Sequence, residues 1–201
     1  MASLFRASAP VLAALATLAA ALESAALFAA DRDDRPPDLL IGYTEFRTDL
    51  PGGRYVNDWT MRAVVVKADG TGLKKLASRN GYRGVIDYLD VYDFHDGSSD
   101  LPVWAPDSKS VFYTAKKGRN VELYRVTLNG KSEQLSDGPN GAMHYHPAPS
   151  PDGKWLVYGS KRDGVRQLYV MRLSDKKEWR ITDLKKGHAA MWASWQPRAA
   201  P

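Results

Sequence analysis

Four histidines carry most of the chemistry open to this sequence: His95, His144, His146 and His188. Neutral imidazole is a common ligand for zinc and other divalent transition metals. His144 and His146 stand two residues apart in "HYHPAPSPDGKWLVYGS". On an extended segment, residues i and i+2 face the same way. Two imidazoles on one face are the start of a divalent-metal site. The loop "DYLDVYDFHDGSSD" (87–100) surrounds His95 with Asp87, Asp90, Asp93, Asp96 and Asp100. Those carboxylates could ligate a metal or orient a histidine from behind. Asp90, Asp93 and Asp96 are three apart, which is not the spacing of an EF-hand loop. The same residues also have a purely structural reading: a solvated acidic loop, and histidines that hydrogen-bond where strands begin. That reading needs no cofactor, and the sequence leaves both open. Other chemistries lack their parts. With no cysteine there is no thiol nucleophile, disulfide or thiolate zinc site, and no Gly-x-Ser-x-Gly elbow is present.

Each histidine lies just upstream of an expected first strand in a repeated pattern. Residues 101–136, "LPVWAPDSKSVFYTAKKGRNVELYRVTLNGKSEQLS", align with 146–182, "HPAPSPDGKWLVYGSKRDGVRQLYVMRLSDKKEWRIT". Pro106-Asp107 falls on Pro151-Asp152 and Leu123-Tyr124 on Leu168-Tyr169, both at an offset of 45, while Leu135 falls on Ile181 at 46. A third start, "MWASWQP", places Pro197 46 residues after Pro151. A period near 45 is the length of one four-stranded propeller blade.

Each copy supplies the parts of a blade. A short strand ends in a turn built on Pro106 and Asp107, or on Pro151, Asp152 and Gly153. Proline presets φ, aspartate bonds its own backbone, and glycine accepts positive φ. An alternating strand follows (Val111 to Thr114, or Trp155 to Tyr158), then a Gly-containing hairpin, a third strand (Glu122 to Thr127, or Gln167 to Arg172) and a short fourth. No segment beyond the N-terminal region has a 3.6-residue amphipathic period. The expected fold class is all-β, with about three four-stranded antiparallel blades. The copy at 39–77 lacks a first strand, and Ala190 to Pro197 is a first strand with no blade after it. The two fragments complement each other, so one blade is expected to join both ends of the chain. Closed propellers have about 4 to 8 blades. Three imply an incomplete ring whose open edges favour self-association.

The stretch "PSPDGKWLVYGSKRDGVRQLYVMRLSDKKEWRIT" resembles the TolB-type β-propeller repeat, a Trp-Asp-like repeat. Its marks are Ser-Pro-Asp-Gly-Lys before the second strand, an Asp-Gly hairpin, Tyr-Val-Met and a closing Ile-Thr. The resemblance extends to 101–136 and, in part, to 39–77 and 190–197. It implies that Pro106, Asp107, Pro151, Asp152 and Gly153 are structural turn residues. It also implies a protein- or ligand-binding scaffold rather than an enzyme, with an envelope protein as partner and the periplasm as location. Ser108 stands where the repeat has glycine, which puts the turn in question. A second resemblance, carried by His144-Tyr145-His146-Pro147 before Ser150-Pro151-Asp152, is to oligogalacturonate lyases. It implies a channel metal held by His144 and His146, and a lyase or hydrolase acting on acidic glycans; the position of all four histidines before first strands, which a propeller gathers around its axis, would bring His188 and His95 to the same mouth. Where those enzymes have a glutamine ligand upstream of the pair, this chain has Asn140-Gly141-Ala142.

Residues 1–30 read as a signal peptide. Arg6 is followed by an apolar run from Val11 to Leu22, with small residues at Ser24 and Ala26 suited to cleavage. The run is about a dozen residues, short of the roughly 20 that span a bilayer. No membrane span is therefore expected after cleavage, and the place is periplasmic or secreted. Residues 31–38 read as a linker, 39–197 as the blades and 198–201 as a tail. The net charge of +5 is spread as pairs such as Lys116-Lys117 and Lys161-Arg162, read as solvated loops. An anionic glycan fits that charge as a partner, and an exported chain has little nucleic acid to meet. Trp104, Trp155, Trp179, Trp192 and Trp195 recur at blade positions and are expected in the core. Tyr55 and Trp59 lie on the insertion 48–60, a candidate contact surface.

Overall fold

A computed structural model describes residues 35–52, 60–76 and 102–197. It contains twelve strands: β1 (Leu40–Arg47), β2 (Arg62–Lys67), β3 (Lys74–Lys75), β4 (Val103–Trp104), β5 (Ser110–Lys117), β6 (Asn120–Thr127), β7 (Ser132–Gln134), β8 (His144–Pro149), β9 (Trp155–Ser160), β10 (Gln167–Arg172), β11 (Glu178–Arg180) and β12 (His188–Trp195). They form three four-stranded sheets, ordered β4-β5-β6-β7, β8-β9-β10-β11 and β12-β1-β2-β3. Every pairing within them is antiparallel. The fold is all-β with three blades, as the repeat predicts. The expected joint of the two chain ends is present. β12 pairs with β1 from Ile41↔Trp195 to Arg47↔His188, and the Gln196 amide donates to the Leu40 carbonyl at 2.7 Å.

The sheet β8–β11 is the middle blade, and its strands read as hydrophobic runs because both faces are covered. All of β9 is buried, as is β10 up to Met171. One face, Val157, Leu168 and Val170 with Trp155 and Ile181, packs on Ile41, Tyr43, Val64 and Val66 of the end-joining blade and on Ala190, Ala193 and Trp195 of β12. The other face, Leu156, Tyr158, Tyr169 and Met171, packs on Phe112, Leu123, Leu135 and Ala105 of the β4–β7 blade. The two outer blades are buried on their inward faces only, so β1 and β5 alternate where β9 does not.

The repeat extends to polar contacts inside the blades. Gln167 opens β10: its Oε1 accepts from Thr182 Oγ1 at 2.7 Å and the Leu184 amide at 3.0 Å. Its Nε2 donates to the Leu184 carbonyl at 2.7 Å. Glu122, 45 residues earlier, does the same work in its blade. It accepts from Ser136 Oγ, from the Gly138 amide at 3.0 Å and from Asn120 Nδ2 at 2.8 Å. Thr182 and Ser136 in turn accept the Leu168 and Leu123 amides at 2.9 Å. Each hub ties the third strand to the segment after the fourth, where the short outer strands β7 and β11 provide few ladder bonds. Glu122 is fully buried. Burial acts to raise its pKa, but the close approach of His144 and the hydrogen bonds from Ser136 and Asn120 outweigh it and hold the carboxyl at about 2.

Two local details carry consequences. The turns 105–110 and 150–155 have one shape. Asp107 Oδ1 accepts the Lys109 amide at 2.9 Å and Asp152 Oδ1 the Lys154 amide at 3.1 Å. Ser108 takes φ 56° where Gly153 has 70°, so the missing glycine leaves the turn intact and places a serine in the left-handed region. Gly159 faces Tyr145 across the β8–β9 ladder. A Cβ on Gly159 would lie 1.9 Å from the Tyr145 ring, which is itself buried. Only the absence of a side chain at 159 lets that ring lie flat on β9.

Some expectations are corrected. Trp155 and Trp195 are core, but Trp104 is 58% exposed. Arg162 does not lie in a solvated loop. Its guanidinium sits 4.2 Å over the Tyr169 ring and is paired with Glu178, beside Tyr158. Residues 1–34, the insertion residues Tyr55 and Trp59, the acidic loop 87–100 and the tail 198–201 lie outside the described residues.

Three outcomes follow for stability. Gly159→Ala should cost about 1–3 kcal/mol or more by overpacking against Tyr145, read as a fall in urea midpoint. Ser108→Gly should hold or raise stability by up to about 1 kcal/mol by relieving the left-handed backbone, seen as an unchanged or higher melting temperature. The folded pKa of Glu122 lies below its ordinary value of 4.5. The stability it contributes is therefore complete above about 4.5 and is lost as pH falls towards about 2. Glu122→Gln should remove that part of the acid denaturation profile, at a cost near neutrality of about 1–3 kcal/mol.

Candidate functional site

The strands β8 and β12 begin their blades, and they pack on each other. Each contains the same irregularity. β8 gains one residue relative to β9 between Tyr145 and Ala148, and β12 gains one relative to β1 between Met191 and Ser194. At the two bulges His146 has φ 51° and Trp192 φ 53°. They stand 46 residues apart, at the same point of the repeat. A bulky residue at positive φ is uncommon and costs of order 1–3 kcal/mol. Here the conformation occurs twice.

The bulges bring aromatic rings together. His146 and Trp192 lie 5.8 Å apart, tilted. Trp192 stacks on Phe46 of β1 at 5.9 Å, and Tyr145 meets His146 edge-on at 5.5 Å. Phe46, His146 and Trp192 are half-buried, with Tyr145 closed off beneath them. The cluster offers broad apolar faces, with Nε2 of His146 itself buried. Such a surface can stack on rings or aliphatic chains of a partner; tryptophan and tyrosine are over-represented among the residues that dominate binding interfaces.

Among the described residues, His144, His146 and His188 have separate surroundings. The bulge at His146 cancels the two-residue alternation that would put His144 and His146 on one face, and their neighbours differ. His144 is fully buried, edge-on to Tyr158 at 5.5 Å, with Nε2 3.4 Å from Glu122 Oε2. That separation is long for a hydrogen bond and is an electrostatic contact. A Cβ on Gly138 would come within 2.9 Å of Nε2, so the backbone there closes over the ring. His188 starts β12 with Nδ1 3.9 Å from Glu45 Oε1, and Lys75 Nζ is 3.6 Å from the same oxygen. His95 lies outside the described residues. Among the described residues, no three His, Asp or Glu side chains stand close enough together to hold a metal ion. Pro106, Asp107, Pro151, Asp152 and Gly153 form turns.

The residues that matter most here escape a search for ligand types. Glu122 is legible only through its alignment with Gln167. Trp192 is legible only through its alignment with His146, which marks both as the extra residue of a first strand. Phe46 carries no sequence signal, because its partner is brought from the far end of the chain.

No family model matches the chain. A Tol-Pal system protein TolB of Ruthia magnifica subsp. Calyptogena magnifica is 31% identical over 85 residues, covering 40% of this chain and 19% of that protein. An uncharacterized protein of Agrobacterium fabrum is 29% identical over 101 residues, covering 49% of this chain and 31% of that protein. Among solved structures, TolB from Acinetobacter baumannii aligns with a TM-score of 0.36 and 23% identity, over 74% of this chain and 32% of that one. The chain thus spans a third or less of the curated relatives it matches. No described helix is long and apolar enough to cross a membrane. The 45-residue repeat and the three four-stranded sheets make this an all-β chain of propeller-type blades that is similar, over part of its length, to a Tol-Pal system protein TolB.

Proposed function

We propose that this chain is an exported binding scaffold of the cell envelope, and that it engages a protein partner through the ridge formed by Phe46, Trp192 and His146. The observation that carries the reading is the pair of equivalent bulges. Each holds a large residue at positive φ, and the two rings meet at the approach of two blades. Strain repeated at one repeat position is retained for what it presents, because an ordinary strand would need neither bulge. The relative from Ruthia magnifica belongs by its name to the Tol-Pal system, which favours an envelope protein as the partner class. The N-terminal features, Arg6 and the short apolar run from Val11 to Leu22, support export to the periplasm.

A metal-dependent lyase reading has no comparable support, because His144 is sealed against Glu122 and Tyr158 while His146 lies against Trp192. A photo-crosslinking residue at 192, introduced in the native host, distinguishes the two. The expected result is a discrete protein adduct in the envelope fraction, lost when His146 is changed to Ala. The same probe in place of buried Trp195 should give none. Absence of any protein adduct at 192 would overturn the scaffold reading. So would stoichiometric zinc or manganese binding that is lost in His144→Ala and His146→Ala.

A further inference from the structure

The two outer blades leave one face each without a neighbouring blade, and the repeat identifies those faces. In the middle blade, Leu156, Tyr158, Tyr169 and Met171 form the face that packs on the β4–β7 blade. Subtracting the repeat offset of 45 gives Val111, Tyr113, Tyr124 and Val126. These four occupy the corresponding face of the β4–β7 blade, and all are half-buried with no blade against them among the described residues. Tyr113 and Tyr124 stack at 5.4 Å, as Tyr158 and Tyr169 stack at 5.9 Å inside the core.

At the other end, the end-joining blade uses Ile41, Tyr43, Val64 and Val66 against the middle blade. Its opposite face carries Gly42, Thr44, Ala63 and Val65, all half-buried, and Leu76, which is 57% exposed. Leu76 is the counterpart of the buried Leu135 and Ile181. The amides of all three donate to the equivalent carbonyl of the third strand: Ala63, Leu123 and Leu168.

The free faces are therefore the two halves of a junction the chain already makes twice. The β4–β7 blade joins the middle blade, and the middle blade joins the end-joining blade, in the same way. Parallel bridges at Val121↔Met143 and Arg166↔Ala189 mark the same point of both junctions. Small side chains at Gly42, Thr44 and Ala63 leave room for Tyr113 and Tyr124. Trp104 at 58% and Leu128 at 71% exposure add apolar surface on the outer blade.

We infer that two copies of this chain close one propeller, the Gly42/Ala63/Val65 face of each seating on the Tyr113/Tyr124 face of the other. The three blades among the described residues are too few to close a ring, and twice three falls within the range of about 4 to 8 seen in closed propellers. Head-to-tail contact of two copies with a closing rotation is a two-fold ring, so both free faces are consumed and no filament grows.

The test is the mass of the full chain in solution, measured by sedimentation equilibrium against the subunit mass from mass spectrometry of the same sample. The expected value is two subunits at micromolar concentration. Tyr124→Asp combined with Val126→Asp should halve it while a cooperative thermal melt persists. The natural chain has no cysteine, which permits a directional check. Ala63→Cys and Tyr113→Cys proteins, mixed, should be joined by a short bis-maleimide, and neither should be joined to itself. A wild-type monomer, any mass other than two subunits, a double-aspartate variant that stays dimeric, or self-linking of either cysteine variant would overturn the inference.

Discussion

The pairing of β12 with β1 is the interaction on which the rest depends. A strand edge with unpaired amides and carbonyls is a costly thing to leave inside a structure. β1 begins the described core with no strand before it, and only β12, nearly 150 residues away, satisfies its inner edge. The same strand provides Ala190, Ala193 and Trp195 to the core and packs on β8, β9 and β10. Trp195 Nε1 also donates to the Ala148 carbonyl at 2.8 Å, tying the end of the chain to the first strand of the middle blade. Loss of β12 would open a sheet, a core face and the aromatic ridge together.

Around that joint, the middle blade is the one element buried on both faces. Its hydrophobic content follows from this position and not from its place in the repeat. Tyr158 and Tyr113 are equivalent residues of equivalent strands. Yet Tyr158 is fully buried and donates to Glu178, while Tyr113 is half-exposed and shares a hydrogen bond with Ser132 at 2.9 Å. Arg162 and Lys117 differ in the same way. The arginine lies on the Tyr169 ring beside Glu178, whereas the lysine reaches the exposed Asp137 at 3.1 Å. Burial favours the planar guanidinium, which stacks and pairs at once; a surface position tolerates the solvated ammonium.

The polar hubs show how a repeat keeps a function while changing its chemistry. Gln167 serves its blade as a neutral amide that both donates and accepts. Glu122 can only accept when ionised, so its neighbours are donors: Asn120, Ser136 and the Gly138 amide. His144 lies beside this fully buried carboxylate, with Nε2 3.4 Å from Oε2. A buried charge is tolerated where its surroundings satisfy it. The local substitutions Thr182 to Ser136 and Leu184 to Gly138 accompany that change of charge.

The sequence by itself determined the blades. Periodicity of two, Pro-Asp turns and a 45-residue offset are local properties, and local properties fix strand, turn and hairpin without reference to distant chain. They also determined the union of the two chain ends, because a blade lacking its first strand and a first strand lacking its blade are each incomplete alone. Tertiary structure decided which side chains come together. Whether His144 and His146 face one way depends on a bulge, and a one-residue slip inverts every side chain beyond it. Whether Trp104 is core or surface depends on which blade has a neighbour. Whether Phe46 matters depends on Trp192 being folded back onto it across the whole length of the propeller. The alignment of repeats carried each of these positions in register, but only packing between blades could say which copy of a position is sealed, which is strained and which is left facing outward.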